Sequence, residues 1–292
     1  MENLQAYFNV RESLINFLIE DIGTGDITSN TTVSPSTSAR AQIVCKTEDA
    51  ATVCGLKEAG MIFDICDCRN RKLVKDGTIV EKQTIVMDIT GKALSILKAE
   101  RTALNLIMRM SGIATETRKF VDAVNRYKGS VRIACTRKTV PGLRFLDKKA
   151  VSIGGGDTHR MALDDMVLIK DNHIFFSESV EKSVKLARQN LGSLVRVECE
   201  VTTLNSAIAA INAGADIIML DNFSPSEVSR TIKEITKKGI RKRAKLEISG
   251  GISLQNVKSY AKSRPDIISI GRLTHSPEAI NFSLEMIEKI RS

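Results

Sequence analysis

Residues Thr136–His173 read TRKTVPGLRFLDKKAVSIGGGDTHRMALDDMVLIKDNH. In this stretch Arg137, Lys138, Arg144, Lys148, Lys149, His159, Arg160, Lys170 and His173 surround two short apolar runs, Ala150–Ile153 and Met166–Ile169. Each run is bounded by turn-forming residues, and runs so short and so punctuated predict buried strands. Charges set just past the ends of buried strands converge on a common mouth instead of spreading over a solvated face. A mouth of Arg and Lys suits a polyanionic small molecule, because a guanidinium fork takes carboxylate or phosphate two-pronged.

The same rhythm extends in both directions from Gly112 onward. Strand-like cores recur at Val131–Cys135, Val195–Cys199, Ile217–Leu220, Leu246–Ser249 and Ile267–Ile270, besides the two runs above. Helical patterns fill the gaps at Ser177–Gln189, Leu204–Ala213, Pro225–Lys237 and Leu254–Lys262. Strands alternating with helices imply parallel pairing through right-handed crossovers. About seven such units fit an incomplete (β/α) barrel better than an open doubly wound sheet. No G-x-G-x-x-G follows a first strand, which removes the main signal for a dinucleotide-binding alternative.

Upstream, residues 1–20 carry helical spacing, and Glu20–Ser29 (EDIGTGDITS) reads as a turn-rich loop. Residues 39–91 are mostly strand-like, with a helix around Leu56–Phe63 and a tight turn at Lys75–Gly77, so a small α+β domain is expected. A helix follows over Ala93–Met110, with Arg101 offset from its apolar stripe and read on its own as a surface ion-pairing residue. The division expected is an N-terminal domain over 1–112, a catalytic barrel over 113–274 and a C-terminal helix over 275–292 packing back on the first domain.

Composition narrows the class. The 292 residues are 42% hydrophobic and 26% charged, as in an ordinary globular protein, and their net charge of +9 points to acidic partners. Aromatics are only 4%, which argues against stacking single-stranded nucleic acid, and the basic run Lys237–Lys245 reads as a solvated loop. The six cysteines show no zinc-like spacing, and Cys135 and Cys199 sit in strand cores as packing residues. No leader-like or membrane-spanning run is present, so we expect a cytoplasmic protein with reduced thiols and no membrane partner.

In a (β/α) barrel chemistry sits at the carboxyl ends of the strands. That rule selects Thr136, Arg137 and Lys138, then Lys170, Glu200, Asp221, the Ser249-Gly250-Gly251 turn, and the Ile270-Gly271-Arg272 turn. Glycine turns closing the last two units can seat a phosphate on backbone N–H groups, or simply permit tight strand-to-helix turns. Glu200 and Asp221 can hold Mg²⁺, hydrogen-bond ribose hydroxyls or neutralise lysines. Glu198 points to the same side of its strand as Glu200, so either can face a ligand. His159 and Arg160, after the Gly154–Gly156 run, can bind an anion or move a proton. Nothing in the residue order suggests covalent catalysis.

These motifs together resemble one enzyme family. EDIGTGDITS, ERTALNLIMRMSGIAT (Glu100–Thr115), TRKTVPGLR, GGGDTHR, LIKDNH, VECE, LDN, SGG and IGRLTHS occur in the order found in the carboxylating nicotinate-nucleotide pyrophosphorylases, also called quinolinate phosphoribosyltransferases. The resemblance runs from about residue 20 to 276. It implies an N-terminal α/β sandwich, an incomplete (β/α) barrel and a homodimer whose active sites take residues from both subunits, which would bring Arg101 to the partner's barrel. It also implies that quinolinate and phosphoribosyl pyrophosphate are converted, with Mg²⁺, to nicotinate mononucleotide, pyrophosphate and CO₂ in de novo NAD biosynthesis. On that basis Arg101, Arg137, His159, Arg160 and Lys170 would grip the two carboxylates, and Lys138 and Lys170 would reach phosphate oxygens. Lys138, Glu200 and Asp221 would be the catalytic groups, with Glu200 and Asp221 holding ribose and metal. Three departures stand out: Thr158 where Asn is more common, Ala162 where Gly is usual, and EISGG for the commoner ESSGG.

Two rivals differ in what they predict. A paralogous phosphoribosyltransferase-like protein of molybdenum-uptake operons would share the fold and ignore quinolinate. A basic nucleic-acid-binding protein would bind with an affinity that falls steeply with salt.

Overall fold

The computed structural model describes residues 4–127, 131–192 and 194–290. In chain order the first elements are α1 (Leu4–Ile22), α2 (Ile27–Thr32), β1 (Ser38–Cys45), β2 (Ala51–Thr52), α3 (Leu56–Ile65), β3 (Arg69–Lys72), β4 (Ile79–Val80) and β5 (Ile85–Lys92). Then come α4 (Ala93–Ala123), β6 (Arg132–Ala134), α5 (Arg144–Ile153), β7 (Val167–Ile169), α6 (Asp171–Ser177), α7 (Val180–Asn190), β8 (Val197–Val201) and α8 (Leu204–Asn212). The last are β9 (Ile217–Asp221), α9 (Pro225–Lys237), β10 (Lys245–Ser249), α10 (Val257–Ala261), β11 (Ile267–Ser269), α11 (Arg272–His275) and β12 (Phe282–Ile290). They form two compact units, one of Met1–Glu116, Pro141–Gly154 and Ser276–Ser292, the other of Thr117–Val140 and Gly155–His275.

The first unit holds an antiparallel sheet in the order β12-β1-β5-β3 and a small β2-β4 pair. Inward-facing Ala39, Ala41 and Ile43 of β1 and Val86, Met87 and Ile89 of β5 are fully or nearly buried. Three sequence expectations change here. The first concerns Ile27–Thr32, which is a short helix and not loop, because Asp26 accepts the Ser29 N–H at 2.9 Å and supplies an N-cap. The second is the C-terminal segment, which is strand β12 and not a helix. Its residues pair with β1 from Ser38↔Ile290 to Cys45↔Phe282, so the edge of the sheet overrides local spacing.

The third correction falls in the opening stretch. Ala150–Ile153 is the last turn of helix α5, not a strand. Leu146, Asp147, Ala150 and Val151 are buried at three-to-four-residue spacing, which is a helical face. Asp147 is completely buried and takes Arg109 Nε and Nη2 at 2.8 Å each. Lys149 Nζ lies 2.7 and 2.9 Å from the two Glu58 carboxylate oxygens. The cations Lys148 and Lys149, read as part of a mouth, thus belong to the core of the first unit.

The second unit is a six-stranded, all-parallel sheet in the order β6-β11-β10-β9-β8-β7. Each strand from β7 to β10 pairs with its successor, and β6 lies beside β11. The sheet is therefore a barrel that does not close: β6 and β7 are its two edges. A single parallel bridge, Ala134↔Asp157, stands where the expected seventh strand would have lain. It is held by Cys135 N–H to Asp157 O at 3.1 Å and Asp157 N–H to Ile133 O at 2.7 Å. The helices start where short polar caps dictate: Ser179 caps α7, Thr203 and Ser206 cap α8, and Ser224 with Glu227 and Pro225 starts α9. Those helices cover the sheet, so β9 can be apolar along most of its length.

Candidate active site

The carboxyl ends of all six parallel strands open into one cavity of about 720 Å³. The turn after β6 contributes Cys135, Thr136, Arg137 and Lys138, and the loop bridged to β6 contributes His159 and Arg160. Leu168 and Lys170 come from β7 and its end, Glu200 from β8, and Met219, Asp221 and Asn222 from β9 and its end. The last two strands bring Glu247, Ser249, Gly250, Gly251 and Ile252, then Ser269, Ile270, Gly271, Arg272 and His275. Every residue selected by the strand-end rule or the resemblance lines this cavity except Arg101, whereas Arg144, Lys148, Lys149 and His173 of the opening stretch do not line it. Arg101 is exposed on α4 in the first unit and makes no hydrogen bond or ion pair among the described residues, so the surface salt bridge first read for it is absent.

The cations and acids are interleaved. Lys170 Nζ sits 2.7 Å from Glu200 Oε2. Burial first, and the Glu200 charge second, raise the Asp221 carboxyl above its ordinary range, while Lys170 and Lys138 oppose the rise. Of the two acids on β8, Glu200 borders the cavity and Glu198 is wholly buried beneath it. Arg160 has its guanidinium pulled down by burial and then by the charge of Arg137. Its Nη1 donates to Met166 O at 3.2 Å, and Arg137 Nε is buried with no hydrogen-bond partner among the described residues. Two guanidiniums held close together, one with an idle buried donor, form a ready receptor for adjacent carboxylates.

The glycine turns have a steric reason. Gly250 and Gly251 hold φ of +95° and +61°, the left-handed region. A Cβ on Gly250 would lie 2.1 Å from Asn222 Oδ1 and 3.0 Å from the Asn222 backbone nitrogen. Asn222 itself has φ +57°, donates its backbone N–H to Ser249 O at 2.9 Å, and donates Nδ2 to Asp221 Oδ2 at 2.7 Å. The turn after β10 and the acid on β9 are thus one fitted unit. On the other side, Thr274 Oγ1 donates to Lys138 O at 2.8 Å and ties the turn after β6 to α11.

Beneath the cavity lies a group that the strand-end rule does not reach. His159, with φ +50°, places Nε2 3.2 Å from Glu247 Oε2 and 3.3 Å from Glu198 Oε2. Both glutamates are completely buried, and among the described residues neither oxygen of Glu198 nor Glu247 Oε1 has a hydrogen-bond partner, so the ring is hydrogen-bonded to Glu247 and only approached by Glu198. Burial pushes the imidazole down, but the nearness of the Glu198 and Glu247 carboxyls outweighs it and brings it to about 10. Against a doubly protonated ring stands the Arg160 backbone N–H, which donates to His159 Nδ1 at 2.8 Å. An imidazolium has no lone pair to accept that bond, so the geometry decides for the neutral ring with its proton on Nε2. The Glu198 carboxyl, raised to about 7 chiefly by burial, then relieves the repulsion between the two acids by holding a proton. Glu247 and Asn222 were legible only as an acid inside an apolar run and as the third residue of LDN.

Known proteins resemble this chain over most of its length. The model of the quinolinate phosphoribosyl transferase N-terminal domain matches residues 26–111, and that of its C-terminal domain matches residues 113–285. The chain is 40% identical over 264 residues to a probable carboxylating nicotinate-nucleotide pyrophosphorylase of Archaeoglobus fulgidus, covering 90% of this chain and 99% of the relative. It is 42% identical over 269 residues to the corresponding Methanocaldococcus jannaschii protein, covering 91% and 93%. Among solved structures, NadC from Streptococcus pyogenes superposes with a TM-score of 0.88 at 33% identity, covering 96% of this chain and 98% of that one.

Proposed function

We propose that this chain, which belongs to the quinolinate phosphoribosyl transferase family, joins quinolinate to phosphoribosyl pyrophosphate and releases pyrophosphate and CO₂, leaving nicotinate mononucleotide for NAD biosynthesis. The observation that carries this reading is the single cavity in which Arg137, Lys138, Arg160 and Lys170 face Glu200 and Asp221 across two glycine turns. Two highly charged anions need many cations, and a ribose that becomes positive needs a few acids.

In this reading Arg137 and Arg160 take the two neighbouring carboxylates of quinolinate, with His159 on the same wall and Lys170 beside them. Lys138 and Lys170 take pyrophosphate oxygens, and the Ser249–Gly251 and Ile270–Arg272 turns seat the 5′-phosphate. As the bond from the ribose C1 to pyrophosphate breaks, Glu200 and Asp221 stabilise the positive charge on the sugar, and the pyridine nitrogen attacks C1. The ring nitrogen is now cationic. Its charge stabilises the carbanion left on the neighbouring ring carbon when that carboxylate departs as CO₂, and the carbanion then takes a proton from water. Positioning and fixed charge suffice, without a covalent enzyme intermediate.

Glu200 and Asp221 are also the residues that would hold Mg²⁺. Burial first and the Glu200 charge second raise Asp221, and a divalent cation would relieve the second of these, with phosphate oxygens completing its preferred shell. Bound there, the ion would neutralise charge on the departing pyrophosphate. We further read the enzyme as a cytoplasmic homodimer with Arg101 of the partner subunit completing the carboxylate grip. Among the described residues no helix is long and apolar enough to cross a membrane, and all six cysteines are free. The test is quinolinate-dependent release of CO₂ in the presence of phosphoribosyl pyrophosphate and Mg²⁺. A protein that leaves quinolinate untouched, or converts only another base, refutes the reading.

A further inference from the structure

Both ring nitrogens of His159 are already engaged inside the barrel. Nδ1 accepts the N–H of the next residue, Arg160, at 2.8 Å, and Nε2 faces Glu247 Oε2 at 3.2 Å and Glu198 Oε2 at 3.3 Å. No N–H is left on the ring to give to a substrate carboxylate. The backbone around it is held as tightly. His159 sits at φ +50°, a conformation that a bulky residue adopts only where its surroundings impose it, and its N–H donates to Asp157 Oδ1 at 2.9 Å. Asp157 is the residue bridged to β6 across the open edge of the sheet. The turn that presents Arg160 to the cavity is thus pinned at one end by a bridge to a strand. At the other it is pinned by an imidazole clamped between acids on β8 and β10.

The acids have no other evident purpose. Glu247 lies in the middle of β10 between Leu246 and Ile248, is completely buried, and has one carboxylate oxygen without a partner among the described residues. Burying a carboxylate in that setting costs several kcal/mol, and an apolar residue there would pack at no such cost. Stability does not explain it, whereas fixing a side chain at the floor of the site does.

We propose that Glu247, seconded by Glu198, is a positioning residue: it clamps His159 as a strut that holds the strained turn and thereby aims Arg160 at the acid-binding end of the cavity. The inference rests on the reading that Arg160 grips a quinolinate carboxylate. In this role Glu247, although it borders the cavity, acts through the His159 ring and not on a reactant directly.

Steady-state kinetics on the full-length protein test this with Glu247→Leu, Glu247→Gln, His159→Asn and the double variant His159→Asn/Glu247→Leu. Asparagine is chosen at 159 because it tolerates the left-handed conformation. E247L is expected to raise the quinolinate KM about tenfold or more, from the loss of one hydrogen bond to a buried acceptor, with the phosphoribosyl pyrophosphate KM changed less than about twofold. E247Q keeps an acceptor for Nε2–H and is expected to stay within about threefold of wild type. The double variant is expected to be no worse than H159N alone, because the effect passes through the ring.

The proposal is overturned if E247L leaves the quinolinate KM unchanged, if it moves both KM values alike, or if its loss adds in full to that of H159N. If E247L does not fold, Glu247→Asp, which keeps the acid but draws its oxygens back from Nε2, carries the same cycle with the same expected rise in the quinolinate KM. No rise for E247D, or a rise that persists undiminished on the H159N background, then overturns it. A wild-type protein with no quinolinate-dependent turnover refutes the reaction assigned above. An active wild type with an uncoupled cycle refutes only the strut.

Discussion

Gly250→Ala places a methyl group 2.1 Å from Asn222 Oδ1 and 3.0 Å from the Asn222 backbone nitrogen, in a residue whose φ is +95°. Left-handed backbone costs an alanine about 1–2 kcal/mol. The Asn222 amide can swing away, but the backbone nitrogen cannot, and such overpacking adds about 1–3 kcal/mol. Swinging the amide also breaks its hydrogen bond to Asp221 Oδ2, worth about 1 kcal/mol. The sum is roughly 3–6 kcal/mol, which for 292 residues lowers Tm by about 5–10 °C. The neighbouring Gly251→Ala is the control. Its φ is +61°, but nothing lies within 4 Å of its added Cβ, so only the strain of about 1–2 kcal/mol applies. Thermal unfolding of both variants reads the stability difference. Initial rates against phosphoribosyl pyrophosphate, at saturating quinolinate, read the function. G250A displaces the turn that seats the 5′-phosphate and the partner of Asp221 together, so its KM for phosphoribosyl pyrophosphate rises more than that of G251A. Equal losses of Tm in the two variants, or a G250A protein with wild-type Tm and KM, would refute the fit between the two strand ends.

Other perturbations bear on separate parts of the molecule. Arg137→Ala and Lys138→Ala are expected to cut turnover by about a hundredfold or more while leaving Tm nearly unchanged, since both remove charge that acts on the reactants; full activity in either removes that residue from the mechanism. Arg109→Met leaves the completely buried Asp147 carboxylate unpaired and is expected to cost about 3–5 kcal/mol by denaturant titration, most of which Arg109→Met/Asp147→Leu restores. Asp88 is held at about 2, below its ordinary 3.8, by hydrogen bonds from Arg71 and then Gln42, against burial. A carboxyl lowered on folding stabilises the native state above its unfolded pKa and loses that contribution as pH falls toward 2. Because Arg71 is three-quarters exposed, the contribution is about 1 kcal/mol after screening, and Asp88→Asn should flatten the fall of Tm between pH 4 and pH 2 by that amount.

The strand ends of the second unit were legible because period and punctuation survive in a single sequence. Parallel strands covered on both faces read as apolar runs, and the charge that follows each run lies at the mouth. Ala150–Ile153 shows where that logic fails. AVSI is as short and apolar as a strand, and only its burial partners, Leu146 and Asp147 one turn earlier, reveal a helix. The deciding contact is Asp147 with Arg109, far apart in the chain, and no local pattern encodes it. β12 fails for the same reason: FSLEMIEKI becomes a strand because β1 has an open edge to fill. Arg101 was visible as a residue off the apolar stripe, but that it would feel the charge of Glu100 without forming an ion pair was not.

The misread strand also explains the part of the site that strand-end reasoning overlooked. With α5 in the first unit, the barrel lacks a strand between β6 and β7, and residues 155–166 must span that opening as loop. A loop cannot aim a guanidinium by sheet hydrogen bonds, so another restraint is required. One end is fixed by the Ala134↔Asp157 bridge and the other by the His159 ring between Glu198 and Glu247. Acids buried in β8 and β10, two strands with β9 between them, look like errors when the sequence is read strand by strand. In an open barrel they do the work of the missing hydrogen-bonded neighbour, at a desolvation cost that a closed barrel would not incur. On this view filling the gap with a true seventh strand would make the two acids dispensable for stability, yet would displace Arg160 from the wall on which the reactants meet.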